Sequence, residues 1–341
     1  MITQQELQAT IDVLVQKGKG ILAADESSPT IAKRFSAINV ESTEENRRAY
    51  RSLLLSTPNL GDFISGVILF EETLGQRSDE GILIPELCEQ QGIVPGIKVD
   101  KGKLALANSE GDEITRGLDG LEQRLQGYKQ QGARFAKWRN VYHITEHNPS
   151  RLAIQANAEV LASYAAICQA QGIVPIVEPE VLIDGDHSLQ RCAEVSEAVF
   201  HAVFHALHRH HVVLEHMLLK PNMMIPGKQH SQQASAQQVA EQTIKVLRRT
   251  VPAAVPSINF LSGGMTPEVS TANLNAMNQL SAQPWELSFS YGRALQEPAL
   301  NAWQGDMANA QLTQSALYQR ARLNGAARRG EYDPAMEFIG G

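Results

Sequence analysis

Lys220 lies in the stretch HMLLKPNMM (216–224), where an apolar run empties into a Pro-Asn turn. Lysine is almost never fully buried unless it is paired, so its place at the end of an apolar strand needs a reason. One reason is covalent chemistry. A free lysine amine titrates at about 10.4 and is an ammonium at neutral pH. Desolvation and a neighbouring cation both lower that value, and an amine freed in this way attacks a ketone or aldehyde carbonyl to form a Schiff base. The iminium draws electrons from an adjacent carbon–carbon bond, and a general acid/base must move protons beside it. Lys137 is a suitable cation, and Glu178 and Asp25 are suitable carboxylates. Taken alone, Lys220 reads first as an ordinary paired lysine; the argument depends on its neighbours.

Those neighbours are far apart in sequence, so a fold must bring them together. Short apolar runs recur at 20–27, 63–72, 93–100, 133–142, 173–180, 212–221, 257–264 and 285–293, each ending in polar or charged residues. Helix-like stretches at 150–172, 188–211 and 235–252 lie between them. Strands alternating with helices imply a parallel sheet, and eight such units predict one closed (β/α)8 barrel over 1–341. No Gly-x-Gly-x-x-Gly follows the first strand, which removes the main support for a dinucleotide fold. Residues 1–19 read as an amphipathic helix with Leu7, Ile11, Leu14 and Val15 on one face; 313–332 read as a final helix, and 333–341 as a short tail.

Barrel enzymes work at the C-terminal ends of their strands, and strand residues two apart share a face. Asp25 ends the first strand, Lys98 and Asp100 the third, Lys137 and Arg139 the fourth, Glu178 and Glu180 the fifth, and Lys220 the sixth. One charge at a strand end is ordinarily a solvated rim residue. Five charged strand ends that the barrel itself brings together are harder to dismiss, and a large buried ion network is a weak stabiliser. Ser262 ends the seventh strand and Arg293 follows the eighth. Loops at those two places often hold phosphate in barrels. Gly263 and Gly264 offer open backbone N–H groups, and Arg293 offers a fixed fork of donors. Lys98 with Arg34 or Arg47 would suit a second phosphate, although a solvated helix face explains the two arginines nearly as well.

Composition narrows the remaining classes. A net charge of −7 over 341 residues argues against a nucleic-acid partner. No apolar run approaches membrane-spanning length. Three well-separated cysteines suit a reducing compartment, and the N-terminus carries no signal pattern. A cytoplasmic location is expected. His208, His210 and His211 close a helix just before the sixth strand, away from the catalytic end, so no metal site is expected.

At these residues the chain resembles the class I, Schiff-base-forming fructose-bisphosphate aldolases. GKGILAADES, TEENRRAYR, GVILFEETL, GIKVDKG, FAKWR, GIVPIVEPE, LLKPNM, FLSGG and SFSYGRALQ carry the resemblance in unbroken order from residue 18 to 296. The resemblance implies a (β/α)8 barrel that cleaves fructose 1,6-bisphosphate reversibly to dihydroxyacetone phosphate and glyceraldehyde 3-phosphate, without metal or organic cofactor, as a homotetramer. It assigns the Schiff base to Lys220, acid/base work to Glu178, support of the imine and substrate contact to Lys137 and Arg139, assistance of carbon–carbon cleavage to Asp25, and a supporting carboxylate to Glu180. Leu261, Ser262, Gly263, Gly264, Ser290, Gly292 and Arg293 match the site for the phosphate of the dihydroxyacetone-phosphate half. Lys98, Ser27, Arg34 and Arg47 match the other phosphate end, where Thr30 keeps a hydroxyl.

Two departures carry expectations of their own. Animal members read ADESTGSIAKR where this chain reads ADESSPTIAKR (24–34), so Pro29 is expected to stiffen a loop and to remove one backbone donor. Animal members also end in a tyrosine-tipped tail, whereas here Tyr332 matches an interior tyrosine and the sequence ends AMEFIGG. Slower proton exchange on the enamine is the expectation. Two rivals remain at this point: another Schiff-base sugar-phosphate aldolase or transaldolase, and a non-catalytic sugar-phosphate binder. Preference among fructose 1,6-bisphosphate, fructose 1-phosphate and sedoheptulose 1,7-bisphosphate stays open.

Overall fold

The computed structural model describes residues 2–338. Eight parallel strands close into a barrel in chain order: β1 (Gly20–Ala24), β2 (Ile64–Leu69), β3 (Val94–Lys98), β4 (Phe135–Tyr142), β5 (Val174–Val181), β6 (Leu218–Leu219), β7 (Ser257–Phe260) and β8 (Glu286–Tyr291), which pairs back to β1. Helices link successive strands and form the outer layer. Several begin where the sequence supplies a cap: Ser150, Ser188 and Thr266 each accept from the backbone N–H three residues on, and Ser235 with Gln238 forms a capping box.

Alternation along the strands separates two apolar layers. Leu22, Ala24, Val67, Leu69, Trp138, Val177 and Leu219 face outward and pack under the helices. Ile21, Ala23, Ile68, Phe135, Val174, Ile176 and Leu218 face inward. The N-terminal helix closes this inner layer from below, with Leu7, Ile11 and Leu14 in the same cluster. Phe135 fills the barrel axis only because β2 and β3 carry glycine opposite it. A Cβ on Gly96 would collide with the Phe135 ring, and one on Gly66 would meet both that ring and Leu14.

Several expected boundaries shift. The sixth apolar run is not one strand from 212. Leu214–His216 forms a 3-10 turn and only Leu218–Leu219 pair as strand. The preceding helix ends in a left-handed His211, and the Val212 N–H returns to Leu207 O, which uses the start of the run as a helix terminus. The N-terminal helix stops at Leu14, not 19, and Met1 lies outside the described residues. The final helix runs Ala310–Arg328. Of the expected tail, Pro334–Phe338 forms a 3-10 turn, while 339–341 lie outside the described residues. Pro29 sits in the first turn of the helix Ser28–Ser36, so the expected stiffened loop is the start of a helix. A missing N–H there breaks no helical bond.

Candidate active site

Strand register decides which inward side chains meet. Lys98 on β3 is the lateral partner of Lys137 on β4, and Arg139 on β4 is the partner of Glu178 on β5. Asp25 follows directly on β1. Lys220 follows β6, held by its N–H donating to Val177 O at 2.8 Å. All of these side chains open into one cavity of about 640 Å³ at the C-terminal end of the barrel.

At its floor four charges form a chain. Asp25 Oδ2 lies 2.7 Å from Lys137 Nζ, which lies 3.2 Å from Glu178 Oε2. Glu178 Oε1 in turn lies 3.3 Å from Lys220 Nζ. Lys137, Glu178 and Lys220 are each no more than 4% exposed. Burial alone would raise the Asp25 carboxyl, but the charges of Lys137, Lys220 and Lys98 hold it well below the usual carboxylate range. Burial would likewise lower Lys137, but Asp25, Glu178 and Asp100 hold it well above the usual ammonium range. Lys137 is therefore a fixed cation and Asp25 a fixed anion at neutral pH. Glu178 Oε2 makes no hydrogen bond, so it has capacity left for another group.

Around this floor stands a polar rim. Arg139 pairs with Glu180. Next to Glu180, the loop Leu261–Gly264 turns through Gly263 (φ 51) and Gly264 (φ 90), left-handed conformations that suit glycine. Gly292 precedes the helix Arg293–Trp303, and Gly292 and Arg293 both line the cavity. The Ser290 hydroxyl is buried, lines the cavity and has no partner. These groups form an anion cradle, with the Glu180 carboxylate, paired to Arg139, at its edge: its Oε1 would stand 3.8 Å from a Cβ on Gly263.

Ser27, Thr30 and Arg34, which follow β1, line the cavity beside β8, and Arg34 Nη2 would stand 3.8 Å from a Cβ on Gly292; Lys98 lines it from the end of β3. Ser27 and Thr30 hydroxyls lie 3.1 Å apart, Arg34 pairs with Glu26, and Lys98 Nζ lies 2.8 Å from Asp100. Arg47 alone among the expected residues is not brought to the cavity. Its guanidinium is taken by Glu72, with bonds of 2.8 and 2.5 Å, which turns it toward the loop after β2. Reading strand ends placed Asp100 beside Lys98 but passed over Glu26 and Lys228, which also line the cavity. Lys228 lies in a polar loop whose sequence gives no periodic signal. Among the described residues, no group of three or more His, Cys, Asp or Glu is arranged to hold a metal.

A closed eight-stranded barrel with buried lysines and carboxylates interleaved at its C-terminal mouth defines a class of enzymes whose chemistry centres on a lysine amine. Comparison with known proteins narrows the class. Residues 6–339 match the family described as fructose-bisphosphate aldolase class-I. The chain is 54% identical over 329 residues to the probable fructose-bisphosphate aldolase class 1 of Xanthomonas campestris pv. campestris, covering 96% of this chain and 98% of that one. It is 52% identical to the cytosolic fructose-bisphosphate aldolase 4 of Arabidopsis thaliana, covering 97% and 85%. A fructose-bisphosphate aldolase from Plasmodium falciparum, solved with TRAP and a small-molecule inhibitor, superposes with a TM-score of 0.96 at 49% identity, covering 97% of this chain and 96% of that one. The chain belongs to the class-I fructose-bisphosphate aldolase family.

Proposed function

We propose that the cavity cleaves fructose 1,6-bisphosphate reversibly through an imine on Lys220. The observation that carries this reading is the contact chain Asp25–Lys137–Glu178–Lys220. Lys220 passes a proton to Glu178, and the free amine adds to the C2 carbonyl of the open-chain sugar. Glu178 returns a proton to the departing hydroxyl, water leaves, and the iminium forms. The C4 hydroxyl gives its proton to a carboxylate of the site, Glu178 or Asp25. The C3–C4 bond breaks, its electron pair passes toward the iminium, and an enamine and glyceraldehyde 3-phosphate result. Protonation at C3 and hydrolysis release dihydroxyacetone phosphate and restore Lys220. Lys137 stays charged throughout and offsets the negative charge that gathers between Asp25 and Glu178.

The cradle at Ser262–Gly264, Ser290 and Gly292–Arg293 suits the phosphate of the dihydroxyacetone-phosphate half. Ser27, Thr30, Arg34 and Lys98 suit the other phosphate. Two groups of anion-binding side chains in one cavity favour a bisphosphate over sugars with one phosphate. The class-I family implies an imine mechanism that needs no metal, and activity is expected to persist in a chelator. We further propose one folding unit assembled as a cytoplasmic homotetramer; the cytosolic name of the Arabidopsis relative supports the location. Light scattering tests the mass, and a single unfolding transition tests the unit. Borohydride reduction with dihydroxyacetone phosphate tests the chemistry: one adduct on the peptide containing Lys220 is expected. A folded, ligand-binding protein with no adduct would favour the non-catalytic binder.

A further inference from the structure

We propose that Lys228 is a further phosphate-binding residue, closing over the same phosphate as Gly264 and Arg293. The inference rests on the proposed function above. Lys228 reaches the cavity from the loop after β6. A Cβ placed on Gly264 would stand 3.2 Å from Lys228 Nζ and 3.6 Å from Arg293 Nη1. Two cations, one from a loop and one from the start of a helix, thus converge over one glycine. Among the described residues Arg293 has no ion-pair partner.

The position of Lys228 is built, not accidental. Its N–H donates to Ile183 O at 2.8 Å, while Gly227 and Gln229 donate to His187 O and Gly185 O at 2.8 and 2.9 Å. Those bonds join the loop after β5 to the loop after β6, and the backbones lie so close that a Cβ on Gly227 would strike Gly185. The lysine stem therefore starts from a fixed point at the rim. Its head is held loosely: among the described residues its ion-pair partner is Asp184, 3.4 Å away and 63% exposed. Such a pair is weak in water. A phosphate dianion already held by Arg293 and backbone N–H groups outcompetes it, and Lys228 transfers from Asp184 to the ligand.

The test measures both substrates of the condensation direction. In Lys228→Ala the KM for dihydroxyacetone phosphate is expected to rise about tenfold, the scale of one charge-assisted hydrogen bond. The KM for glyceraldehyde 3-phosphate should stay unchanged. Asp184→Asn should move the dihydroxyacetone-phosphate KM in the opposite direction, because it removes the competitor. A merely structural role for Lys228 would disturb both substrates and would not give opposite signs in the two variants. If Lys228→Ala shifts only the glyceraldehyde 3-phosphate KM, or shifts neither, the inference is overturned. Calorimetric titration with dihydroxyacetone phosphate reads the same change without turnover. A parent protein that binds but does not cleave would overturn the proposed function while still deciding the role of Lys228.

Discussion

Lys220 and Lys137 bracket a single carboxylate: their Nζ atoms lie 3.3 and 3.2 Å from opposite oxygens of Glu178. Two buried ammonium groups are tolerable this close together because an anion is shared between them and Asp25 adds a second. The balance ties stability to chemistry, since removing one member leaves the others buried without a full set of partners.

Lys220→Arg keeps a positive charge beside Glu178 and removes the amine that would form the imine. Its kcat is expected to fall at least about a thousandfold, the order seen when a covalent nucleophile is lost. Far-ultraviolet circular dichroism should remain that of the parent. Steady-state cleavage of fructose 1,6-bisphosphate checks it, and near-parent turnover would exclude the imine at this position.

Asp25→Asn links stability to pH. The folded pKa of Asp25 lies below its unfolded value of about 3.9. The ionised group therefore stabilises the fold above that pH, and the contribution fades as pH falls toward the folded value. The variant should be less stable than the parent by the same margin at pH 7 and pH 5, and by a smaller margin at pH 3.5. Urea unfolding at the three values measures this; a margin that grew on acidification would contradict the depressed pKa.

Arg51 is 1% exposed and joins the segment that follows β1 to the short helix Glu71–Leu74 that follows β2. It donates to Glu26 O at 2.6 Å and to Thr73 Oγ1 at 2.8 Å, and its guanidinium stands 5.7 Å from the Phe70 ring centroid. Arg51→Met is expected to cost about 3 kcal/mol of stability, because Glu26 O and Thr73 Oγ1 lose their buried charged donor. It should also lower kcat, since Asp25 precedes the anchored carbonyl. Chemical denaturation and turnover of the same sample would separate the two effects.

Gly96→Ala tests the barrel axis. The added methyl has no room beside Phe135, and overpacking of this kind costs about 1–3 kcal/mol. Gly96→Ala combined with Phe135→Leu should recover part of the loss. No recovery in the double variant would mean that the strain lies elsewhere.

Much of this arrangement was legible in the sequence because a parallel barrel repeats one rule eight times. Lys98, Lys137, Glu178 and Lys220 were found by asking which charges end apolar runs, and the register that sets Lys98 beside Lys137 follows from the closed sheet. Residues whose partners come from loops were harder. Arg47 has the composition of a phosphate ligand, and only the folded position of Glu72 shows where its charge is spent. Lys228 follows no strand directly, and its place depends on backbone bonds between two loops. The sixth strand was overextended because Val212 is apolar for a different reason: it packs at the end of a helix.

The helix Ile2–Leu14 seals the lower end of the barrel with Leu7, Ile11 and Leu14. The cavity is thus a cul-de-sac, and every molecule that enters must leave through the same door. For a substrate tethered at the floor through Lys220, this dictates an order of departure. The aldehyde half, cut free near the mouth, has an open path while the ketone half remains fastened beneath it. In the reverse direction the ketone must be seated first, because an aldehyde arriving early would stand in the only doorway.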